Sequence, residues 1–584
     1  MSSLSIASDE PENIEDNTEA QEPPLDEPKL TLCQKFKLFI TIYWQGILCV
    51  LVPLILIPIH LSFPPQKYQW CAYSLVLMAV FWVTECIPLA VTSFIPVIIF
   101  PLTGVMNTTT TCKCYVNDTV IMFVASMILA YSVEQSGLHN RLALCAIRAI
   151  GYSHYRLLFA VSFITMFISM WITNTAATTM MVPINFAILK VFEEQNLLTI
   201  FETGSDGELI ASDITACYFC VTTYSATIGG IGTLVGTATN LVFKGLYTKA
   251  YPLAQEYLSF PKFSGFSIPY MIIMECFVYF YVIVVYLGFL RPTSEVAKRS
   301  KIPLSGIEAA KKAVNDDWNK LGRITFWEIM VIILFSGAMI MFFTRSPQIF
   351  EGWGDKIADY YGIENHKFIQ DSAVAMLVAF LMLLLPSTLE LFNNFKAKTH
   401  DELSQKPVPS VLRWREMNDT LPYSYMFLLG GGIALSEAAK KEYSNLNGKI
   451  GAVLKNLKYL PNELILLLII IFTVFTTNFA SNVAVCNVIV PIVMQLAKEI
   501  NRNPLWYNIA AGFSSSYAFC LPVGTPGNLI VQSVAKIPTK KMILAGIGPT
   551  ISTITISWFA IYFWAPVIWP DLLFVHEKDP LINE

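Results

Sequence analysis

Between residues 42 and 566 the chain is a succession of apolar runs, most of them about as long as a helix needs to cross a bilayer. We read them at 42–63, 70–86, 88–104, 119–138, 156–190, 212–245, 268–290, 325–345, 370–388, 421–440, 461–499, 505–535 and 541–566. A water-soluble chain would need a charged skin to cover that much apolar surface. Charged residues make up only 14% here, against about 25% in soluble domains. Aromatic residues reach 13%, as expected where Trp and Tyr sit at membrane interfaces. The net charge of −4 is spread out and argues against a nucleic-acid partner. Most cysteines (Cys71, Cys217 and Cys486 among them) lie inside apolar runs, as packing residues rather than disulfides or metal ligands. The expected fold is an all-α polytopic membrane protein whose solvent is the lipid bilayer.

Residues 156–190 and 461–499 are too long for one crossing. About 35 helical residues span about 50 Å, against a hydrocarbon core of about 30 Å. Each run is interrupted by polar residues, Thr173-Asn174-Thr175 in the first and Ser481-Asn482-Val483 in the second. The spacing predicts re-entrant hairpins, with unwound backbone at membrane depth facing protein or a water-filled cavity. Eleven crossings remain.

Charge then sets orientation. Lys29, Lys35 and Lys37 put the N-terminus in the cytoplasm. The basic loops 291–324 (Lys298, Arg299, Lys301, Lys311, Lys312) and 389–420 (Lys396, Lys398, Lys406, Arg413, Arg415) then fall inside too, and the C-terminus outside. The sequons at Asn107 and Asn117 fall outside, where glycans are added. Lys440, Lys441, Lys449, Lys455 and Lys458 run against the rule, because this count leaves them outside. The organisation expected is an acidic disordered tail (1–34), a first membrane repeat (35–290), a cytoplasmic linker (291–324), a second repeat (325–570) and a short tail (571–584). Residues 1–28 lack the apolar core of a signal peptide. The stretch 138–150, with His139, Arg141 and Arg148, reads as an amphipathic helix on the inner surface, and His154 as interfacial.

The two interrupted runs match each other. T-N-T-A-A-T-T-M-M-V-P-I (173–184) aligns with S-N-V-A-V-C-N-V-I-V-P-I (481–492), and G-T-A-T-N-L-V (236–242) with G-T-P-G-N-L-I (524–530). Met122-Phe123 and Ala130 match Met426-Phe427 and Ala434. Five crossings separate the copies. An odd number inverts the second copy, and inverted repeats with broken helices are the architecture of secondary transporters.

Asn174 and Asn482 offer amides, and Thr175, Thr237 and Thr525 offer hydroxyls. Gly236 and Gly524 let backbone approach a ligand, and half-helix N-termini present free N–H groups. Such a set suits an anion, with unwound carbonyls beside it suited to Na⁺. Taken singly, an Asn or Thr in a membrane helix is packing glue. Packing does not require the same motif twice. Gly229-Gly230 and Gly430-Gly431-Gly432 read as close-packing positions, and Glu134 and Glu437 as helix-end charges. Zinc signatures, nucleophile elbows and intramembrane carboxylate pairs are missing, so an enzyme is not expected.

Together with F-W-V-T-E-C-I-P-L (81–89) and G-L-H-N-R-L-A-L (137–144), these paired motifs resemble solute carrier family 13, the divalent anion/sodium symporters, over about residues 35–570. The resemblance implies an eleven-helix homodimer working as an elevator in the plasma membrane and moving di- and tricarboxylates such as citrate and succinate. It implies one Na⁺ site at Ser169, Thr173, Asn174 and Gly236, and a second at Thr477, Ala480, Asn482 and Gly524. Substrate would meet Asn174, Thr175, Thr237, Ser481, Asn482, Val483, Thr525 and Pro526. No organic cofactor is implied. Three departures stand out: Thr173 replaces a Ser, Val483 replaces a Thr as in citrate-handling members, and Gly524 and Gly527 stand where Ala and Pro are common. The expected function is Na⁺-coupled carboxylate transport. Cation-independent carboxylate exchange, sulfate transport and an anion channel are the alternatives.

Overall fold

The computed structural model describes residues 31–573 apart from 61–65, 205–206, 253, 292–301, 364–367, 396–402, 404–406, 455–456 and 458. The acidic tail before residue 31, the chain end after 573 and Lys29, Lys298, Arg299, Lys301, Lys396, Lys398, Lys406, Lys455 and Lys458 lie outside these residues.

The described residues are mostly helical. Seven helices of the described residues are long and apolar enough to cross a membrane: Leu32–Leu56, Thr108–Gln135, Asn174–Glu194, Phe260–Tyr286, Phe326–Arg345, Asn482–Glu499 and Thr539–Ile568. Four apolar helices are shorter: Leu89–Leu102, His154–Ser169, Asp371–Leu384 and Asn462–Thr477.

Both interrupted runs form the expected helix–break–helix. The first hairpin is His154–Ser169 and Asn174–Glu194; the second is Asn462–Thr477 and Asn482–Glu499. The incoming 16-residue arms are about 24 Å long, short of a full crossing, whereas the outgoing arms are long and apolar enough to cross. Thr173 ends the first break by capping the outgoing arm, its hydroxyl accepting from the Ala176 N–H at 3.4 Å.

Each hairpin wraps a central helix. Asp213–Gly229 packs against both arms of the first hairpin and is buried from Thr215 to Gly229. Pro504–Ser514 packs against both arms of the second and is buried along its whole length. Among the polar residues buried in these two helices, Thr222 is hydrogen-bonded to the Tyr218 carbonyl, Thr223 to Asn528, Ser225 to Glu275 and Asn508 to the Phe243 carbonyl. At Gly229 a Cβ would lie 2.2 Å from the Met166 carbonyl oxygen, so only glycine allows this central helix to lie so close to the hairpin.

Several expectations need correction. The runs 212–245 and 505–535 are not single helices. The first breaks between Gly229 and Ala238 and the second between Ser514 and Pro526, because Gly230, Gly232 and Gly236, and Pro522 and Pro526, interrupt helix where hydropathy stays high. The run 88–104 is two short helices, Leu89–Thr92 and Ile95–Leu102. The first helix starts at Leu32, inside the stretch assigned to the tail and ten residues before the apolar run, because Thr31 and Gln34 form a capping box. The fold is not purely α: Phe201–Thr203 pairs antiparallel with Leu209–Ala211. Leu304–Lys320 is a helix within the linker.

Of the basic residues of Leu138–Ile150, Arg148 is exposed, but Arg141 and His139 are buried. Arg141 is buried, pairs with Glu328 at 2.9 Å and donates to the carbonyls of Leu321 and Gly322. Arg148 lies over the Trp318 ring. His139 is buried with Nδ1 3.3 Å from the Val133 carbonyl. His154 is not interfacial either: it is buried, and Nδ1 meets the Tyr218 hydroxyl at 2.9 Å. For Arg141, His139 and His154 a protein partner replaces the water that sequence alone supplies.

Candidate functional site

The hairpin tips and the broken central helices meet in two similar constellations. In the first, the Ser169 hydroxyl lies 2.7 Å from the Ala226 carbonyl and 3.1 Å from Asn174 Oδ1. In the second, the Thr477 hydroxyl lies 2.6 Å from the Ser515 carbonyl and 2.8 Å from the end of the Asn482 amide. The broken helices are tied in the same way. Asn240 Nδ2 donates to the carbonyls of Gly230 and Thr233, and Asn528 Nδ2 donates to those of Ala518 and Leu521. All three residues recur at one offset of 288. The duplication legible in the motifs is therefore also a duplication of hydrogen bonds.

Glycine is required where the elements touch. A Cβ on Gly230 would sit 2.1 Å from Asn174 Oδ1; one on Gly236 would sit 2.5 Å from the Gly230 carbonyl. Gly230 therefore belongs to the constellation itself, beyond the close-packing role expected for the Gly229-Gly230 pair. Gly430 and Gly431 keep that packing role, against Tyr115 and Ser93. Replacing Gly230 by Ala is expected to displace the Asn174 amide and lower uptake more than Gly337→Ala, a glycine with nothing within 4 Å of its would-be Cβ. Radiolabelled substrate uptake normalised to surface protein reads this.

Each constellation reaches across to the other repeat. A Cβ on Gly527 would lie 3.0 Å from Thr178 Oγ1, one turn past Asn174. Thr223 Oγ1 donates to Asn528 Oδ1 at 2.9 Å. Cys486, one turn past Asn482, lies with Sγ 4.0 Å from the Thr239 carbonyl, beside Thr237. The contacts set the helix that begins at Asn174 against the helix start at Thr525–Gly527, and the helix that begins at Asn482 against the helix start at Thr237–Thr239.

The other candidate residues divide by what they already bind. Thr175, Thr237 and Ser481 are half-buried, and their hydroxyls make no hydrogen bond among the described residues. These are free to meet an anion. Thr525 is buried and its hydroxyl caps the next helix, accepting from Asn528 N–H at 3.3 Å. Val483 is buried, Pro526 is exposed at the first turn of that helix, and Ala480 is buried in the second break.

The Asn482 amide lies among oxygen neighbours, which favour its NH₂ on their side. Its free end lies 2.8 Å from Thr477 Oγ1, 3.3 Å from the Gly524 carbonyl and 3.2 Å from the Ser515 carbonyl. Turned one way, the NH₂ donates to all three and the cluster closes on itself. Turned the other way, the amide carbonyl adds a fourth oxygen to three others that share one hydroxyl proton. Four such oxygens are the donor set of a hard monovalent cation.

One buried charge was not singled out by its sequence position. Glu275, in the middle of Phe260–Tyr286, is fully buried; its Oε1 accepts from Ser162 and, at 2.5 Å, from Ser225. Ser225 adjoins Ala226, so this carboxyl backs the first constellation. An acidic residue inside an apolar run was the available signal.

A family model described as the sodium:sulfate symporter transmembrane region matches residues 40–570. The chain belongs to the sodium:sulfate symporter family. This is the solute carrier family 13 that the paired motifs pointed to. Among relatives, Protein I'm not dead yet of Drosophila melanogaster is 37% identical over 546 residues, 91% of each chain. The Na⁺/citrate cotransporter of Rattus norvegicus is 31% identical, covering 92% of this chain and 96% of its own. The Na⁺/dicarboxylate cotransporter 3 of Mus musculus is 30% identical, covering 91% and 94%.

Proposed function

We propose that this protein is a plasma-membrane secondary transporter of di- and tricarboxylates such as citrate and succinate, coupled to Na⁺. The observation that carries the reading is the repeated constellation. Two broken helices and two hairpin tips gather amides, hydroxyls and unwound carbonyls where a membrane protein otherwise pairs its backbone internally. Relatives named for Na⁺/citrate and Na⁺/dicarboxylate cotransport support it.

Ser169, Thr173, Asn174 and Gly236 hold one Na⁺; Thr477, Ala480, Asn482 and Gly524 hold the other. Thr173 and Ala480 contribute backbone, since the Thr173 hydroxyl is spent on a cap and Ala480 has no polar side chain. Bound Na⁺ turns the Asn482 carbonyl inward and so readies the tip for an anion. Substrate carboxylates accept from Thr175, Thr237 and Ser481 and from the tip amides, with Thr525, Val483 and Pro526 shaping the wall. The hairpins stop at mid-membrane, eleven helices cross, and the inverted repeats exchange inward- and outward-facing states as an elevator within a homodimer.

Replacing Na⁺ by choline is expected to reduce uptake of ¹⁴C-citrate and ¹⁴C-succinate to background. Unchanged uptake would leave cation-independent exchange. One observation favours that second reading: the Asn482 amide can satisfy its oxygen neighbours without an ion.

Orientation gives a further expectation. Both sequon asparagines cap helices, but Asn117 Nδ2 also donates to the Cys114 carbonyl at 2.7 Å, whereas Asn107 is exposed and uses only its oxygen. The glycan is expected on Asn107. Asn107→Gln should remove the glycosidase-sensitive mass shift and Asn117→Gln should retain it; the reverse pattern contradicts the assignment.

A further inference from the structure

The lysines that run against the charge rule have a structural setting. Lys440 and Lys441 follow the helix Ser424–Ala438 and, with Lys498 of the second hairpin, line a cavity of about 350 Å³. That lies at the small end of ligand-site volumes, about 300–1,000 Å³. Glu442 is the one acidic side chain in the wall, so lysine outnumbers carboxylate three to one. Asn445, Asn447 and Gln495 add amides.

We propose that this cavity is a capture site for small polycarboxylate anions on their way to the hairpin tips. The proposal rests on the transport reading above. Two observations carry it. The wall chemistry is ammonium and amide donors, the complement of carboxylate oxygens. The cavity is built on the helix that starts at the second tip: its wall includes Pro491, nine residues past Asn482, or about 13 Å along the axis. Lysines lining a low-dielectric recess concentrate anions and speed their arrival.

A bland reading exists for some of these residues. Lys249, Lys440 and Lys498 each stand at or just past a helix C-terminus, where cations offset the helix dipole. Lys440 is held further, its Nζ donating to the Lys249 carbonyl at 3.0 Å and pairing with Glu437 at 3.2 Å. Lys441 is exposed, and the same account does not cover it. The test is therefore centred there.

The full-length Lys441→Cys protein is purified in detergent, where both faces are open. Position 441 is labelled with methanethiosulfonates of equal length bearing a sulfonate or a trimethylammonium group, and labelling is read by mass spectrometry of the 441 peptide. At low ionic strength the anionic reagent is expected to react roughly ten-fold faster, relative to a free thiol. Adding Lys498→Gln should lower that ratio. Citrate should slow labelling, and should still slow it when Asn482→Ala has disabled the tip. Equal rates for the two reagents, or no protection by citrate, overturn the proposal. So does protection that disappears with Asn482→Ala, because citrate would then act only from the tip. If the unmodified protein transports no carboxylate in the uptake assay, the transport reading itself fails, a result separate from the labelling outcome.

Discussion

Asn482→Ala and Asn174→Ala are each expected to reduce carboxylate uptake roughly 100-fold with surface expression intact. A hydrogen bond to a charged group is worth about 1.5–3 kcal/mol, and each amide also organises its neighbours. In the second constellation Asn482 meets Thr477, Ser515 and Gly524 together. Removing the amide leaves Thr477 bonded to the Ser515 carbonyl but takes away the group that meets Thr477, Ser515 and Gly524 at once. In the first, Asn174 receives the Ser169 hydroxyl and lies against Gly230. Both breaks are closed by backbone hydrogen bonds, and the first also by the Thr173 cap, so neither break is held by its asparagine alone. Near-normal uptake in both variants, measured with ¹⁴C-citrate and cell-surface biotinylation, would place the site elsewhere.

The second large effect concerns stability. Arg345 is almost fully buried and holds Asp371 at 2.6 Å, Glu256 at 2.6 Å and the Ile369 carbonyl at 2.8 Å. Lys244 completes the cluster, 3.0 Å from Asp371 and 3.5 Å from Glu256. Two cations balance two carboxylates, joining Ala238–Ala250 to Phe326–Arg345 and Asp371–Leu384. Arg345→Met leaves one buried negative charge uncompensated, a loss of about 3–5 kcal/mol. Thermal unfolding of the purified protein should move well down. Lys244→Met with Asp371→Leu removes one charge of each sign and should destabilise less than Arg345→Met. An unchanged transition for Arg345→Met would mean that water or another group already compensates the pair.

The two helix breaks could be read from sequence because they combine excess length with a polar interruption, and each signal is local. The motif pairs carried the duplication for the same reason. The broken central helices were not legible by hydropathy, since Ile228, Ile231, Leu234 and Val235 keep the run apolar through the break. The four glycines at 229, 230, 232 and 236 were the available sign. The Arg345 cluster could not be read at all. Its partners lie 26 and 89 residues away, and only tertiary packing brings them together. Arg141 and His154 were misplaced for a related reason. Sequence shows that a charge or an imidazole is present, but not that Glu328 or Tyr218 waits across the interface.

The most direct measurement is a cryo-EM density map of the full-length protein with citrate and Na⁺. The account predicts citrate density within hydrogen-bonding distance, about 3 Å, of groups from both Asn174–Thr175 and Ser481–Asn482. Citrate bound against one repeat only, or tips separated by packed side chains with no ligand between them, would contradict it.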